Sequence, residues 1–188
     1  MVRYQQLESR IAFNASVELS GSRLLITGTS RADTVAVELI GRSTLRVSTD
    51  QHVFDFLRSR VRTIVVRLGA GNDVLKATNS PVRLDVNAGA GNDTILTGSG
   101  EDTIFAGSGN DSIRAGAGRD LIYAGDGNDT LFGEAGSDTL FGELGDDSII
   151  GGLDYDVVRG GIGRDRFVIF ETYTTEVFDY SPRLDVPV

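Results

Sequence analysis

Apolar and polar residues alternate through the first half of the chain and then fall into a nine-residue beat. Between residues 17 and 87, apolar residues recur at every second position from Arg23 to Thr27, Thr34 to Ile40, Thr44 to Val47, Val53 to Leu57 and Val61 to Leu68, with turn-like GTSRAD and IGRST between them. Period-two alternation predicts half-buried β-strands. From Ala88 to Val168 nine nonapeptides then follow without a break: AGAGNDTIL, TGSGEDTIF, AGSGNDSIR, AGAGRDLIY, AGDGNDTLF, GEAGSDTLF, GELGDDSII, GGLDYDVVR and GGIGRDRFV. An earlier copy, LGAGNDVLK, runs from Leu68 to Lys76. Position six is always aspartate (Asp73, Asp93, Asp102, Asp111, Asp120, Asp129, Asp138, Asp147, Asp156, Asp165), and position eight is always large and apolar (Leu75, Ile95, Ile104, Ile113, Ile122, Leu131, Leu140, Ile149, Val158, Phe167).

Glycine at positions two and four permits positive φ and close backbone approach, so each opening hexad predicts a tight turn. The last three residues alternate polar, apolar, polar, which is a short strand with one side chain facing inward. Two nonapeptides make one coil, and coils stacked about 4.8 Å apart place the position-eight residues of two parallel sheets against each other in a thin core. The expected fold is therefore all-β, a right-handed parallel β-roll (a β-solenoid) preceded by degenerate β-coils. Aspartates eighteen residues apart fall in register along one edge, where two carboxylates about 5 Å apart repel by roughly 3 kcal/mol at an effective dielectric near 20. Such a ladder calls for cations, and Ca2+, a hard ion that takes six to eight oxygen ligands, suits gaps lined by carboxylates and main-chain carbonyls.

The repeat resembles the RTX, or haemolysin-type, calcium-binding nonapeptide with consensus GGxGxDxUx, where U is large and apolar. Nine copies in register make the resemblance specific, and it covers somewhat under half of the chain. It implies that each ion is shared by two turns: carbonyls of positions two and four and the aspartate of one, carbonyls of positions one and three and the aspartate of the next. On this chain the shells would be Gly89, Gly91 and Asp93 with Ala106, Ser108 and Asp111; Gly98, Gly100 and Asp102 with Ala115, Ala117 and Asp120; and Gly107, Gly109 and Asp111 with Ala124, Asp126 and Asp129. They continue as Gly116, Gly118 and Asp120 with Gly133, Ala135 and Asp138; Gly125, Gly127 and Asp129 with Gly142, Leu144 and Asp147; Glu134, Gly136 and Asp138 with Gly151, Leu153 and Asp156; and Glu143, Gly145 and Asp147 with Gly160, Ile162 and Asp165. An eighth would join Gly69, Gly71 and Asp73 to Ala88, Ala90 and Asp93, giving seven or eight ions in all. Glu134 and Glu143 replace glycine at position two, where only a carbonyl is required, and Asp154 replaces it at position four.

Composition sharpens this picture. Twenty-four glycines with only three prolines are placed for a structural reason rather than for a disordered linker. Residues 1 to 87 carry 12 Lys/Arg against 8 Asp/Glu, whereas residues 88 to 168 carry 5 against 15. So acidic a segment repels phosphate backbones, which argues against nucleic acid and against phosphate binding at the GxG turns, and attracts cations. No cysteine means no disulfide or thiolate site, and no apolar stretch approaches the roughly 20 residues of a membrane helix. The RTX resemblance implies a bacterial protein that is secreted or displayed at the cell surface. An enzyme is not expected: His52 is the sole histidine, without HExxH around it, and GxSxG is absent. The alternative is the non-catalytic carboxy-terminal part of a larger secreted enzyme or toxin.

The expected division is a tail at 1–16, degenerate coils or an amino-terminal cap at 17–87, the roll at 88–168 and a carboxy-terminal segment at 169–188. A small separate β-sandwich is the alternative for 17–87. The start, LESRIAFNA, resembles a short motif near the amino terminus of some exported bacterial surface proteins. The end is either a cap over the core, using Phe170, Tyr173, Val177 and Phe178, or the uncleaved secretion signal that the resemblance implies. On one sheet position nine presents Phe105, Tyr123 and Phe141 at eighteen-residue steps. This aromatic ladder either packs along the sheet or forms a self-association face.

Overall fold

The computed structural model describes residues 15–168, 175–178 and 186–187. Their strands form one nine-stranded and one ten-stranded sheet, and among them the one helical piece is the 3-10 turn Arg58–Arg60. Through the repeats the chain alternates between the sheets, so strands eighteen residues apart pair in parallel. Thr103–Ser108, Leu121–Asp126, Thr139–Leu144 and Asp156–Ile162 follow one another in the first sheet. Ser112–Ala117, Thr130–Ala135 and Ser148–Leu153 do so in the second. This is the β-solenoid that the periodicity predicts. Every position-eight residue from Leu75 to Phe167 is at most 1% exposed, so the core is a single row of large side chains from each sheet.

One local expectation is corrected. Positions one to three are not part of the turn in most repeats: Thr103–Ser108 joins positions seven to nine of one copy to positions one to three of the next. The turn shrinks to positions four to six. The reason lies in position two, where Gly107 and Gly125 pair at φ of 117° and 112°. A methyl on Gly125 would run into the Gly107 carbonyl, so glycine lets adjacent backbones close up and the ladder continue through it.

Upstream, Arg23–Thr27, Thr63–Ala70 and Arg83–Ala90 extend the first sheet in parallel, with Leu24, Ile64 and Leu84 in register. Antiparallel hairpins interrupt the coils there: Ser16–Ser20 folds back on Arg23–Thr27, and Thr34–Ile40, Thr44–Thr49 and Val53–Leu57 form a meander. Thr34–Ile40 pairs in parallel with Val74–Lys76, which ties the meander to the second sheet. A continuous buried cluster runs from Val17 to Phe167.

Phe105, Tyr123 and Phe141 stack along the first sheet, with ring centroids 4.9 and 4.8 Å apart and planes inclined by 1° and 7°. Their faces are turned to one another, and the Arg159 guanidinium continues the row 5.9 Å from Phe141. Residues 7–14 of LESRIAFNA and the side chains of Phe170, Tyr173, Val177 and Phe178 lie outside the described residues.

Candidate metal centre

Stacking collects the aspartates into two rows. One edge carries Asp73, Asp93, Asp111, Asp129, Asp147 and Asp165, each separated from the next by one coil, and the other carries Asp102, Asp120, Asp138 and Asp156. A single hydrogen bond repeats along both: the N–H of each aspartate donates to Oδ1 of the aspartate one coil later. It measures 2.8 Å from Asp73 to Asp93, 2.7 Å from Asp93 to Asp111 and from Asp111 to Asp129, and 2.8 Å from Asp129 to Asp147. On the other edge it measures 2.7 Å from Asp102 to Asp120, 2.9 Å from Asp120 to Asp138 and 3.0 Å from Asp138 to Asp156. Leu84 supplies the N–H that starts this second row, at 2.7 Å from Asp102 Oδ1. These bonds bring together the residue pairs expected from the eighteen-residue spacing, and the twenty-residue step between Asp73 and Asp93.

The other carboxylate oxygen is left without a donor. Oδ2 of Asp73, Asp93, Asp102, Asp111, Asp120, Asp129, Asp138, Asp147 and Asp156 is buried and makes no hydrogen bond. Buried acceptors are normally satisfied, and an orphaned one is costly. Two of them lie beside a main-chain carbonyl oxygen: a methyl on Gly133 would meet both Asp138 Oδ2 and the Gly151 carbonyl, and one on Gly142 both Asp147 Oδ2 and the Gly160 carbonyl. Carboxylate and carbonyl of adjacent coils thus converge, acceptor against acceptor. Among the described residues no three Asp, Glu, His or Cys side chains gather at one point. Two carboxylates per gap require the remaining ligands to come from the main chain.

Burial dominates the electrostatics. It pushes the carboxyl groups of Asp111, Asp120 and Asp147 up to about 7 and those of Asp73 and Asp138 up to about 6, against 3.8 ordinarily. The N–H bond from the preceding coil pulls each one down, and neighbouring aspartates push it up again. Asp93, Asp102 and Asp129 shift upward for the same leading reason. Rows of desolvated carboxylates raised into the neutral range are poised either to take protons or to bind cations. Calcium fits the donor set: oxygen only, four neutral carbonyls to two carboxylates, in a row of repeated gaps.

Position-three carbonyls, expected in the ion shells, already accept a hydrogen bond. The Gly91, Gly109 and Gly127 N–H groups donate to the Ser108, Asp126 and Leu144 carbonyls at 2.7 Å. A carbonyl has two lone pairs, so one remains. Glu134 and Glu143 keep the conformation of the glycines they replace, with φ of 77° and 78°, and Asp154 adopts 78°. His52 is exposed in the turn before Val53–Leu57, its ring 6.0 Å from Phe54.

Two further features join the aspartate rows. At position five of the longer edge the N–H groups of Asn92, Asn110, Asn128 and Asp146 donate to the side-chain oxygen one coil earlier, at 2.8 to 2.9 Å, and the Arg164 N–H donates to Asp146. This ladder runs opposite in sense to the aspartate ladder, and the alternation of GND with GED, GRD and GSD was its signal. The other feature is the coil beneath Asp73. The Asp33 N–H donates to Asp73 Oδ1 at 2.7 Å, so Asp33 begins the longer row. Its Oδ2 is not orphaned: the Thr29 N–H and hydroxyl donate to it at 2.6 and 2.9 Å.

Three overlapping stretches, residues 85–113, 105–140 and 132–167, match the family model of the RTX calcium-binding nonapeptide repeat (4 copies). Residues 85–167 therefore carry RTX calcium-binding repeats, on the β-solenoid described above. No curated protein matches the chain.

Proposed function

We propose that residues 68–168 bind a row of seven or eight calcium ions between stacked turns, and that this binding drives the roll to fold. The observation that carries the reading is the set of nine buried Oδ2 atoms without a donor, aligned on the two edges. Each ion would be held by the aspartates and main-chain carbonyls of two coils, in the shells that begin with Gly69, Gly71 and Asp73. Position-one carbonyls and Oδ2 atoms that face each other across a gap support this shell. Residues 17–87 would serve as the amino-terminal cap on which the first repeat coil stacks, since both sheets run through into them.

The setting that suits such a module is outside a bacterial cell, where calcium is plentiful, with the chain unfolded where calcium is scarce. A scaffold or adhesin role follows from the shape: a rigid rod of repeats whose order depends on the medium. Calcium titration followed by circular dichroism, with magnesium as control, tests the reading. β-structure should grow with calcium, saturate, and vanish in excess chelator, while magnesium, which demands near-octahedral geometry and gives up its waters reluctantly, should fail to replace it. A spectrum unchanged by chelator would end the proposal.

A further inference from the structure

The residue that opens each repeat divides the gaps into two groups. In six repeats position one bears a side chain, and all six are buried: Leu68, Ala88, Thr97, Ala106, Ala115 and Ala124. In the last four it is glycine: Gly133, Gly142, Gly151 and Gly160. In these four, Oδ2 of the repeat's own aspartate stands so close to the glycine that a Cβ would collide with it, as Asp138 does at Gly133 and Asp147 at Gly142. The same carboxylate position is closed to an aspartate whose repeat opens with alanine, because a buried methyl fills the space. The glycine repeats are also where strained backbone gathers, at Glu134, Glu143 and Asp154.

We infer that the roll holds two classes of calcium gap: six in which at least one aspartate is fixed by a side chain at position one, and two, Asp138 with Asp156 and Asp147 with Asp165, in which both aspartates stand against a glycine and have room to turn away. This rests on the calcium reading and adds an order of loading to it. In the six fixed gaps at least one carboxylate is already confined before the ion arrives. In the two roomy gaps binding must also immobilise it, which should weaken affinity roughly threefold to tenfold, the range that ordering one side chain entails. The carboxy-terminal end of the roll then fills last, at calcium concentrations where the remainder is already complete.

Native mass spectrometry of the full chain across a calcium titration, buffered by a competing chelator, tests this. The wild-type chain should pass through a species with about six ions before the last two bind. Ala106→Gly with Ala124→Gly loosens the gaps Asp111 with Asp129 and Asp129 with Asp147, so the late ions should rise from about two to about four at an unchanged total. Ala124→Gly alone, the milder change, should give about three. Ions that all bind in one class, or a late count that glycine leaves unchanged, would overturn the inference while leaving calcium binding intact. A chain that binds no calcium would overturn the calcium reading itself and this inference with it.

Discussion

The coils before the repeats and the coils within them solve the same packing problem by different means. Thr63–Ala70 buries Ile64, Val66 and Leu68 on one face, whereas Leu121–Asp126 buries Ile122 and Ala124. At about 0.8 kcal/mol per buried CH2, a strand that trades two large side chains for one alanine gives up several kcal/mol of burial. Glycine at two of every nine positions raises the entropy cost of ordering at the same time. Upstream, the one aspartate of the row, Asp33, has its second oxygen satisfied by Thr29; downstream nine such oxygens have nothing. The first region buries more apolar side chain per strand. The second has exchanged core for carboxylates, and on the calcium reading its stability comes from the ions they bind.

Removing calcium should separate the two regions most sharply. Hydrogen exchange in excess chelator should show amides of 88–168 exchanging as in an unfolded chain, while those of Thr34–Ile40 and Thr44–Thr49, in a meander over Val35, Val37, Leu45 and Val47, stay protected. Protection of both regions, or of neither, would break the comparison.

Substitutions sharpen it one row at a time. Asp129 borders two gaps, with Asp111 and with Asp147, and Asp165 borders one, with Asp147. Asp129→Ala should therefore lose about two ions and Asp165→Ala about one by native mass spectrometry, with the larger fall in calcium-loaded stability at Asp129. Equal losses would mean that ions bind turn by turn. Thr29→Val is the counterpart in the first region: it leaves Asp33 Oδ2 without the hydroxyl and should cost about 1–3 kcal/mol, the same with calcium as without.

The ladder was legible because its information is periodic. Asp93 and Asp111 are eighteen residues apart in the sequence and one coil apart in space, so counting alone placed them. Positive φ at Gly107 and the row of position-eight residues followed from the same beat. What counting could not give was strand length, because whether positions one to three join the ladder depends on how closely two glycine backbones approach. The hairpin at Gly21 and the closure of Asp33 by Thr29 were hidden for another reason. They belong to the non-repeating part of the chain, where a single Thr carries no period to reveal it.

Acidity should invert the calcium effect. The carboxyls of Asp111, Asp120 and Asp147 rise from 3.8 to about 7 in the folded roll, and those of Asp73 and Asp138 to about 6. A folded-state value above the unfolded one means that the roll holds these protons more tightly, so their contribution is fully present below about pH 4 and is lost as the pH climbs through 6 to 7. In chelator, circular dichroism should therefore report more β-structure at pH 4 to 5 than at pH 8. In calcium the sense reverses, because the ion needs the ionised carboxylates, and the titration midpoint should move to higher calcium as the pH falls from 7 to 5. A chelated roll equally disordered at both pH values would break the link between burial of the ladder and its demand for cations.

The smallest effect probes the cost of departing from the repeat. Glu134 and Glu143 sit at position two with φ near +78°, where glycine stands in every other copy. Restoring glycine relieves a left-handed residue worth about 1–2 kcal/mol, and the freer unfolded chain takes back roughly 0.5–1 kcal/mol. The net gain for Glu143→Gly should be about 0.5–1 kcal/mol in thermal melts at saturating calcium. Glu134→Gly should gain less, because Glu134 also accepts a hydrogen bond from the Arg114 guanidinium at 2.9 Å, an exposed pair worth up to about 1 kcal/mol. High salt, which screens that pair, should bring the two gains together. The strain is a property of stacked coils, so both gains should disappear in chelator. A gain that persists there would place the effect in the unfolded chain instead of the turn.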